Sequence, residues 1–209
     1  FEVREFILRA RKGPSTPDFP LERDLGKRRH LEVVAHSIVN ALFYSRQIRT
    51  QTVVHVIFDG PAAPPKIVRL ESDRLGSLDG MDERSVWQVI QRALAAGRRL
   101  GLGEEVEAEA GLFAAKMSFE QLVRERCAAG PVHYLRPGGT DIRDLPLSLP
   151  ARFVFTDHLA MPKKTDRFLE RLGALPVSVG PRMLFASQCI ALVHNELDRR
   201  NLVLPGGSC

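Results

Sequence analysis

The residues best placed to do chemistry lie near the end of the chain, where residues 177–195 read VSVGPRMLFASQCIALVHN. A short apolar run, with Val177 and Val179, stops at Gly180-Pro181, and a helical pattern begins without a polar linker. Past the turn, Ala186, Ile190, Val193 and Leu197 fall at i, i+4, i+7 and i+11, one apolar face of a helix. Glycine at a strand end admits a close backbone or ligand, and proline removes a donor and bars strand continuation. Such a joint brings backbone amides and a helix N-terminus together, which suits a small bound cofactor. An ordinary buried corner between strand and helix has the same pattern, so spacing alone leaves both readings open. Two other loops, 136–140 and 156–164, also follow strand ends, and in an open α/β sheet ligands lodge outside those ends.

The elements that must position these loops can be read from periodicity. Residues 5–11 form a first strand that ends at Gly13-Pro14. From 31 to 45, Leu31, Val34, Ile38 and Leu42 have helical spacing, and TVVHVIF (52–58) is the continuous β-branched run of a strand buried on both faces in a parallel sheet. A strand over 66–70 and a helix from Asp82, with Val86, Ile90 and Leu94 inward and Trp87 in the core, come next. The acidic stretch 104–109 reads as solvated surface, and any domain boundary falls around 100–115. Ser118 and Gln121 mark a capped helix that stops at Gly130. A strand over 132–135, a Gly-Gly turn, a strand over 152–155 and a helix over 166–172 complete the pattern. Strands alternating with helices predict an α/β fold with a largely parallel sheet and helices on both faces, in a single domain over 1–209.

Net charge +5 and a pI near 9.4, with 24 arginines among 30 basic residues, fit contact with RNA, because guanidinium forks onto phosphates and stacks on bases. A GC-rich genome yields the same bias. The clearer cluster is Arg28 and Arg29 with Arg46 and Arg49, which bracket one helix and are the candidate RNA-binding residues; a solvated helix end is the other reading. Three distant cysteines give neither a disulfide framework nor a zinc site, so no metal is expected and a reducing cytoplasm is. No run approaches the ~18 apolar residues of a membrane span, so no membrane partner is expected. The pair Gly138-Gly139 does not extend to G-x-G-x-x-G between a strand and a helix, which argues against a dinucleotide-dependent oxidoreductase.

VSVGPRMLFASQCIALVHNELD resembles the C-terminal knot loop of the SPOUT methyltransferases, and specifically of the tRNA pseudouridine N1-methyltransferase family. REFILRA (4–10), DERS (82–85), HYLRPGGTDIRD (133–144) and FTDHLAMPKK (155–164) occur in that family's order and spacing, so the resemblance covers essentially the whole chain. TDH followed by MPKK, and GPRMLFASQC, resemble its bacterial branch. The resemblance implies a C-terminal trefoil knot, a homodimer closing across the helix over 184–197, and S-adenosylmethionine as cofactor. It implies that Leu135 lines the adenosine pocket, that Val179, Gly180, Pro181 and Leu184 wrap the cofactor, and that Cys189 touches it from the following helix. Thr156 stands where archaeal members have glycine, so its side chain must fit against the cofactor.

The implied activity is methylation of N1 of pseudouridine in a structured RNA, tRNA being the expected partner. The proton on N1 must leave at or before transfer, so a base would contribute roughly 10²–10⁴-fold, and a cation would stabilise the ring anion. Asp157 and His158, at the end of the 152–155 strand, and Arg182, beside the cofactor loop, are the candidates. Each has a plainer alternative: Asp157 as a turn cap, His158 as a structural histidine, Arg182 as surface. The rival functions are a SPOUT methyltransferase for another RNA nitrogen or a ribose 2'-hydroxyl, and an RNA-binding module without catalysis.

Overall fold

A computed structural model describes residues 3–20, 31–76, 78, 80–157 and 160–200. Its strands are β1 (Arg4–Ala10), β2 (Phe43–Tyr44), β3 (Gln47–Ile48), β4 (Thr52–Phe58), β5 (Lys66–Glu71), β6 (Glu105–Glu109), β7 (Leu112–Ala115), β8 (His133–Asp141), β9 (Ala151–Thr156) and β10 (Leu175–Ser178). The helices are α1 (Leu31–Leu42), α2 (Glu83–Ala96), α3 (Phe119–Ala129), α4 (Lys163–Arg171) and α5 (Ala186–Arg199), with a 3-10 turn at Ile142–Asp144.

One eight-stranded sheet runs in the order β10-β8-β9-β1-β4-β5-β7-β6. The five strands from β10 to β4 are mutually parallel, and β5, β7 and β6 extend the sheet antiparallel. Consequently the carboxyl ends of β10, β8, β9, β1 and β4 share one edge, and their amino ends share the other.

Alternation along β1 explains why the sheet is covered on both faces. Phe6, Leu8 and Ala10 enter a core beneath α1, α2 and α5, with Val34, Ile38, Ile90, Ile190 and Val193. Ile7 points the other way, into a core with Phe119, Leu122 and Val123 of α3 and Leu169 of α4. Trp87 is fully buried in the first core and donates its indole N–H to the Leu31 carbonyl at 3.0 Å. Asp82 caps α2 and Ser118 caps α3, each side chain accepting the amide three residues on.

Two sequence expectations need correction, and a third gains a strand. The run 52–58 is a buried strand, but parallel only to β1; its other neighbour, β5, is antiparallel. Apolar continuity reports burial, not direction. The helix predicted to reach Ser45 stops at Leu42, and the chain turns through a β2–β3 hairpin with Ser45 at φ 52. The acidic stretch is solvent-facing, as expected, and it is also a strand. It is β6, the sheet's edge, with Glu105, Glu107 and Glu109 facing solvent and holding Arg69, Arg74 and Arg92.

Two ionic clusters brace the amino edge. Glu5, 5% exposed, accepts from His55 at 2.7 Å and from Arg126 and Arg152. Burial alone would raise its carboxyl, but His55 and Arg126 hold it down at about 2. On the other face Arg4 pairs with Asp198 at 2.7 Å and bonds His194. Burial, with the charges of Arg49 and Arg4, pushes His194 down to about 3, so it is neutral.

Candidate cofactor site

The site is built where β8 and β10 part company. Leu175 and Pro176 pair with His133 and Tyr134, then Val177 and Ser178 pair with Thr140 and Asp141. Residues 135–139 therefore leave the ladder and return to it. Gly139 permits this, because a Cβ there would lie 2.7 Å from the Pro176 carbonyl carbon and the Val177 nitrogen. Gly138, at φ +75, turns the excursion through the left-handed region that favours glycine.

Beyond β10 the chain bends at Gly180, whose φ of +147 again suits glycine, and Ser178 Oγ clasps the bend by accepting from Gly180 N at 3.3 Å. Residues 181–185 then lead directly into α5, where Gln188 Oε1 accepts from Phe185 N at 3.0 Å. The amides of Arg182, Met183 and Leu184 bond to no described residue, which leaves three consecutive donors for a ligand.

Between excursion and loop lies a cavity of about 580 Å³. The structure brings Leu135, Val179, Gly180, Pro181, Arg182, Leu184 and Cys189 to its wall. Burial pushes the Cys189 thiol up to about 11, so it packs there as a neutral group. Sequence reasoning missed Asp141 and Arg143, which also line the cavity. Hydrogen bonds from the Arg143 side chain and backbone hold the Asp141 carboxyl at about 2, so it is ionised. The signal was present: two glycines beside a proline, with Asp141 and Arg143 two and four residues past the second glycine.

Other candidates fall elsewhere. Thr156 and Asp157 are buried and are not part of the cavity wall. Asp157 Oδ2 accepts from Arg11 N at 3.1 Å, and its own amide donates to the Arg9 carbonyl at 3.1 Å, so it joins the ends of β1 and β9. These are contacts that a turn cap makes, and neither residue lines the cavity. His158, Arg28 and Arg29 lie outside the described residues. Arg46 is exposed in the β2–β3 turn, whereas Arg49 is held by Asp198 at 3.2 Å and stacks on Tyr44. Both stand at the start of β4, on the amino edge. A seven-residue strand at about 3.3 Å per residue puts the cavity's edge roughly 20 Å away.

A cofactor-sized cavity at the carboxyl edge of parallel strands defines a small-molecule-binding α/β protein. The particular kind follows from its relatives. A family model described as "Putative SAM-dependent RNA methyltransferase" matches residues 3–202, and the chain belongs to that family of S-adenosylmethionine-dependent RNA methyltransferases. It is 36% identical over 198 residues to a "Putative pseudouridine methyltransferase" of Vibrio parahaemolyticus, covering 95% of this chain and 99% of the relative. The Photobacterium profundum protein of the same name is 35% identical over 196 residues, covering 94% and 98%. In fold the chain is similar to the crystal structure of Archaeoglobus fulgidus Nep1 bound to S-adenosylhomocysteine, with TM-score 0.59 at 14% identity, covering 96% of this chain and 99% of that one.

The cavity fits the family's cofactor in size and chemistry. Its volume lies within the roughly 300–1,000 Å³ of drug-sized ligand sites. Leu135, Val177, Val179 and Leu184 offer an apolar slot, the free amides offer donors, and the ionised Asp141 offers an anion. Among the described residues no helix is long and apolar enough to cross a membrane.

Proposed function

We propose that this enzyme methylates N1 of pseudouridine in RNA, with tRNA as the substrate class, working in the cytoplasm as a homodimer. The observation that carries the reading is the cavity between the 135–139 excursion and the 179–184 loop, which joins apolar side chains to backbone amides that bond no described residue. The name shared by the full-length relatives supports pseudouridine as the target.

When bound, S-adenosylmethionine supplies an electrophilic methyl group on a sulfonium. Leu135, Val179, Leu184 and Cys189 would hold its adenosine part, and the amides of residues 182–184 would donate hydrogen bonds to it. Asp141 offers the carboxylate for the amino-acid end, kept ionised by Arg143. Arg182 is the side chain we assign to the target base: exposed on the cavity wall, it neutralises the ring anion left when the N1 proton passes to water. A knotted arrangement of the cofactor loops is part of this proposal. Met183 and Phe185, about half exposed, and Leu192, 39% exposed, give one apolar strip along the loop and α5, which supports a two-fold contact there.

The deciding experiment is methyl transfer to two otherwise identical RNAs, one with uridine and one with pseudouridine at a single position, read by nucleoside mass spectrometry. The expected product is N1-methylpseudouridine from the second RNA alone. A methyl on ribose, or equal methylation of both, would overturn the substrate assignment.

A further inference from the structure

Much of the arginine on this molecule is already committed. At the antiparallel end Arg69, Arg74 and Arg92 hold the glutamates of β6. At the amino edge Arg4, Arg49, Arg126 and Arg152 serve the two ionic clusters. Next to the cavity Arg136 is paired with Glu170 and Arg143 with Asp141. Charge tied up in this way attracts a polyanion weakly, whatever the composition suggests.

Four cations at the carboxyl edge differ. Arg11 and Lys12 follow β1, Lys163 and Lys164 open α4, all four are exposed, and none forms an ion pair with a described residue. A chain of contacts makes them neighbours. Arg9 donates to Thr165 Oγ1 at 3.3 Å, which ties the end of β1 to the first turn of α4, and Arg11 N donates to Asp157 at the end of β9. The backbone beneath is firm: Gly60 N donates to the Gly13 carbonyl at 2.9 Å, and Ser15 Oγ to the Gly60 carbonyl at 2.7 Å. A Cβ on Gly60 would meet the Lys12 carbonyl at 2.7 Å, so the two loops are in close contact.

Lysines at a helix start oppose the helix dipole, and Pro162 supplies no side-chain cap to compensate. The pair therefore does nothing for α4 itself, and an anion placed there would satisfy both. We propose that Arg11, Lys12, Lys163 and Lys164 form the phosphate-gripping surface on which the RNA substrate docks. The proposal rests on the function given above and moves the docking face from the amino edge to the edge that carries the cofactor cavity. A substrate held there lies over the ends of β1 and β9, the strand next to β8, while a face at Arg46 would hold it a sheet length away.

The test uses the full chain and a fluorescein-labelled transcribed tRNA, with affinity measured by anisotropy across salt concentrations. R11Q/K12Q and K163Q/K164Q are compared with wild type and with R171Q/R199Q, a charge-matched pair at the opposite edge. Each carboxyl-edge pair should lower affinity about tenfold or more near 100 mM salt and reduce the salt slope by about 2, one per lost phosphate contact. The control pair should do neither, and S-adenosylmethionine affinity by calorimetry should be unchanged in every variant. If wild type binds tRNA with a steep salt slope and both carboxyl-edge variants bind as well as the control, this surface is wrong while the proposed function stands. If wild type binds no RNA, the function itself fails. Loss of binding to phosphatidylserine vesicles, with tRNA binding intact, would assign the surface to a membrane and overturn the proposal.

Discussion

Gly139 is where the cofactor cavity is most exposed to a single atom. A Cβ added there meets three backbone atoms of β10, two at 2.7 Å and the Val177 carbonyl carbon at 2.8 Å. Carbon contacts settle near 3.5 Å or beyond, so something must retreat by roughly 0.7–1 Å. No side chain can swing aside, because the obstacles are main chain. The element that yields is β10, a four-residue strand at the end of the sheet, with β8 as its sole strand neighbour among the described residues. Overpacking of this kind costs about 1–3 kcal/mol. Val177 and Ser178 line the cavity, so the same displacement moves its wall.

Gly139→Ala should therefore lower unfolding free energy by about 1–3 kcal/mol in guanidinium titration and weaken S-adenosylmethionine binding at least tenfold in calorimetry, about 1.4 kcal/mol. Gly173→Ala separates this from ordinary glycine strain. Gly173 has φ +77 with nothing within 4 Å of its Cβ position, and it lies outside the cavity. It should cost about 1–2 kcal/mol of stability for its left-handed conformation, with cofactor affinity unchanged. If Gly139→Ala binds cofactor like wild type, or if both variants lose affinity equally, the close approach of β8 to β10 does not shape the site.

Asp157→Asn should retain wild-type cofactor affinity and a near-normal single-turnover rate while losing about 1 kcal/mol of stability, since its carboxylate bonds the Arg11 amide off the cavity; a hundredfold rate loss at intact affinity would restore it as the base. Glu5 has a folded pKa of about 2 against an ordinary 4.5, so its stabilisation, about 3 kcal/mol, is complete above pH ~4.5 and lost as pH falls toward 2. The stability gap between wild type and Glu5→Gln should then shrink by about 2 kcal/mol between pH 6 and pH 3, and a constant gap would refute the assignment. Replacing Met183 and Phe185 together by glutamate should halve the mass seen by light scattering at micromolar concentration, provided wild type is the proposed dimer.

Local chemistry was legible in the sequence wherever a residue's partner lay nearby. Asp82 and Ser118 capped their helices as their spacing requires, and the 3.6-residue period of Val86, Ile90 and Leu94 placed them in the core. The glycine bend at 180 read correctly as a break between strand and helix because φ +147 is a property of one residue. Strand direction was not legible, since a period of two is the same in parallel and antiparallel ladders. The 135–139 excursion was hidden for a related reason. Pro-Gly-Gly signals that a strand stops, and nothing local says that the same strand resumes at Thr140 against Val177.

Charge was the least legible property. Whether an arginine is free to meet RNA depends on acids far away in sequence: Arg49 is taken by Asp198, 149 residues on, and Arg69 by Glu105, 36 residues on. The sequence marks Arg46 and Arg49 as a basic pair and the fold neutralises half of it, while Lys163 and Lys164 emerge exposed. Net charge is fixed by composition, but the distribution of unpaired charge is set by tertiary contacts, and it is that distribution a phosphate backbone meets. The carboxyl edge thus gathers both halves of the proposed chemistry, a cavity walled by glycine turns and a rim of cations outside the described ion pairs, from segments as far as 173 residues apart between Arg11 and Leu184.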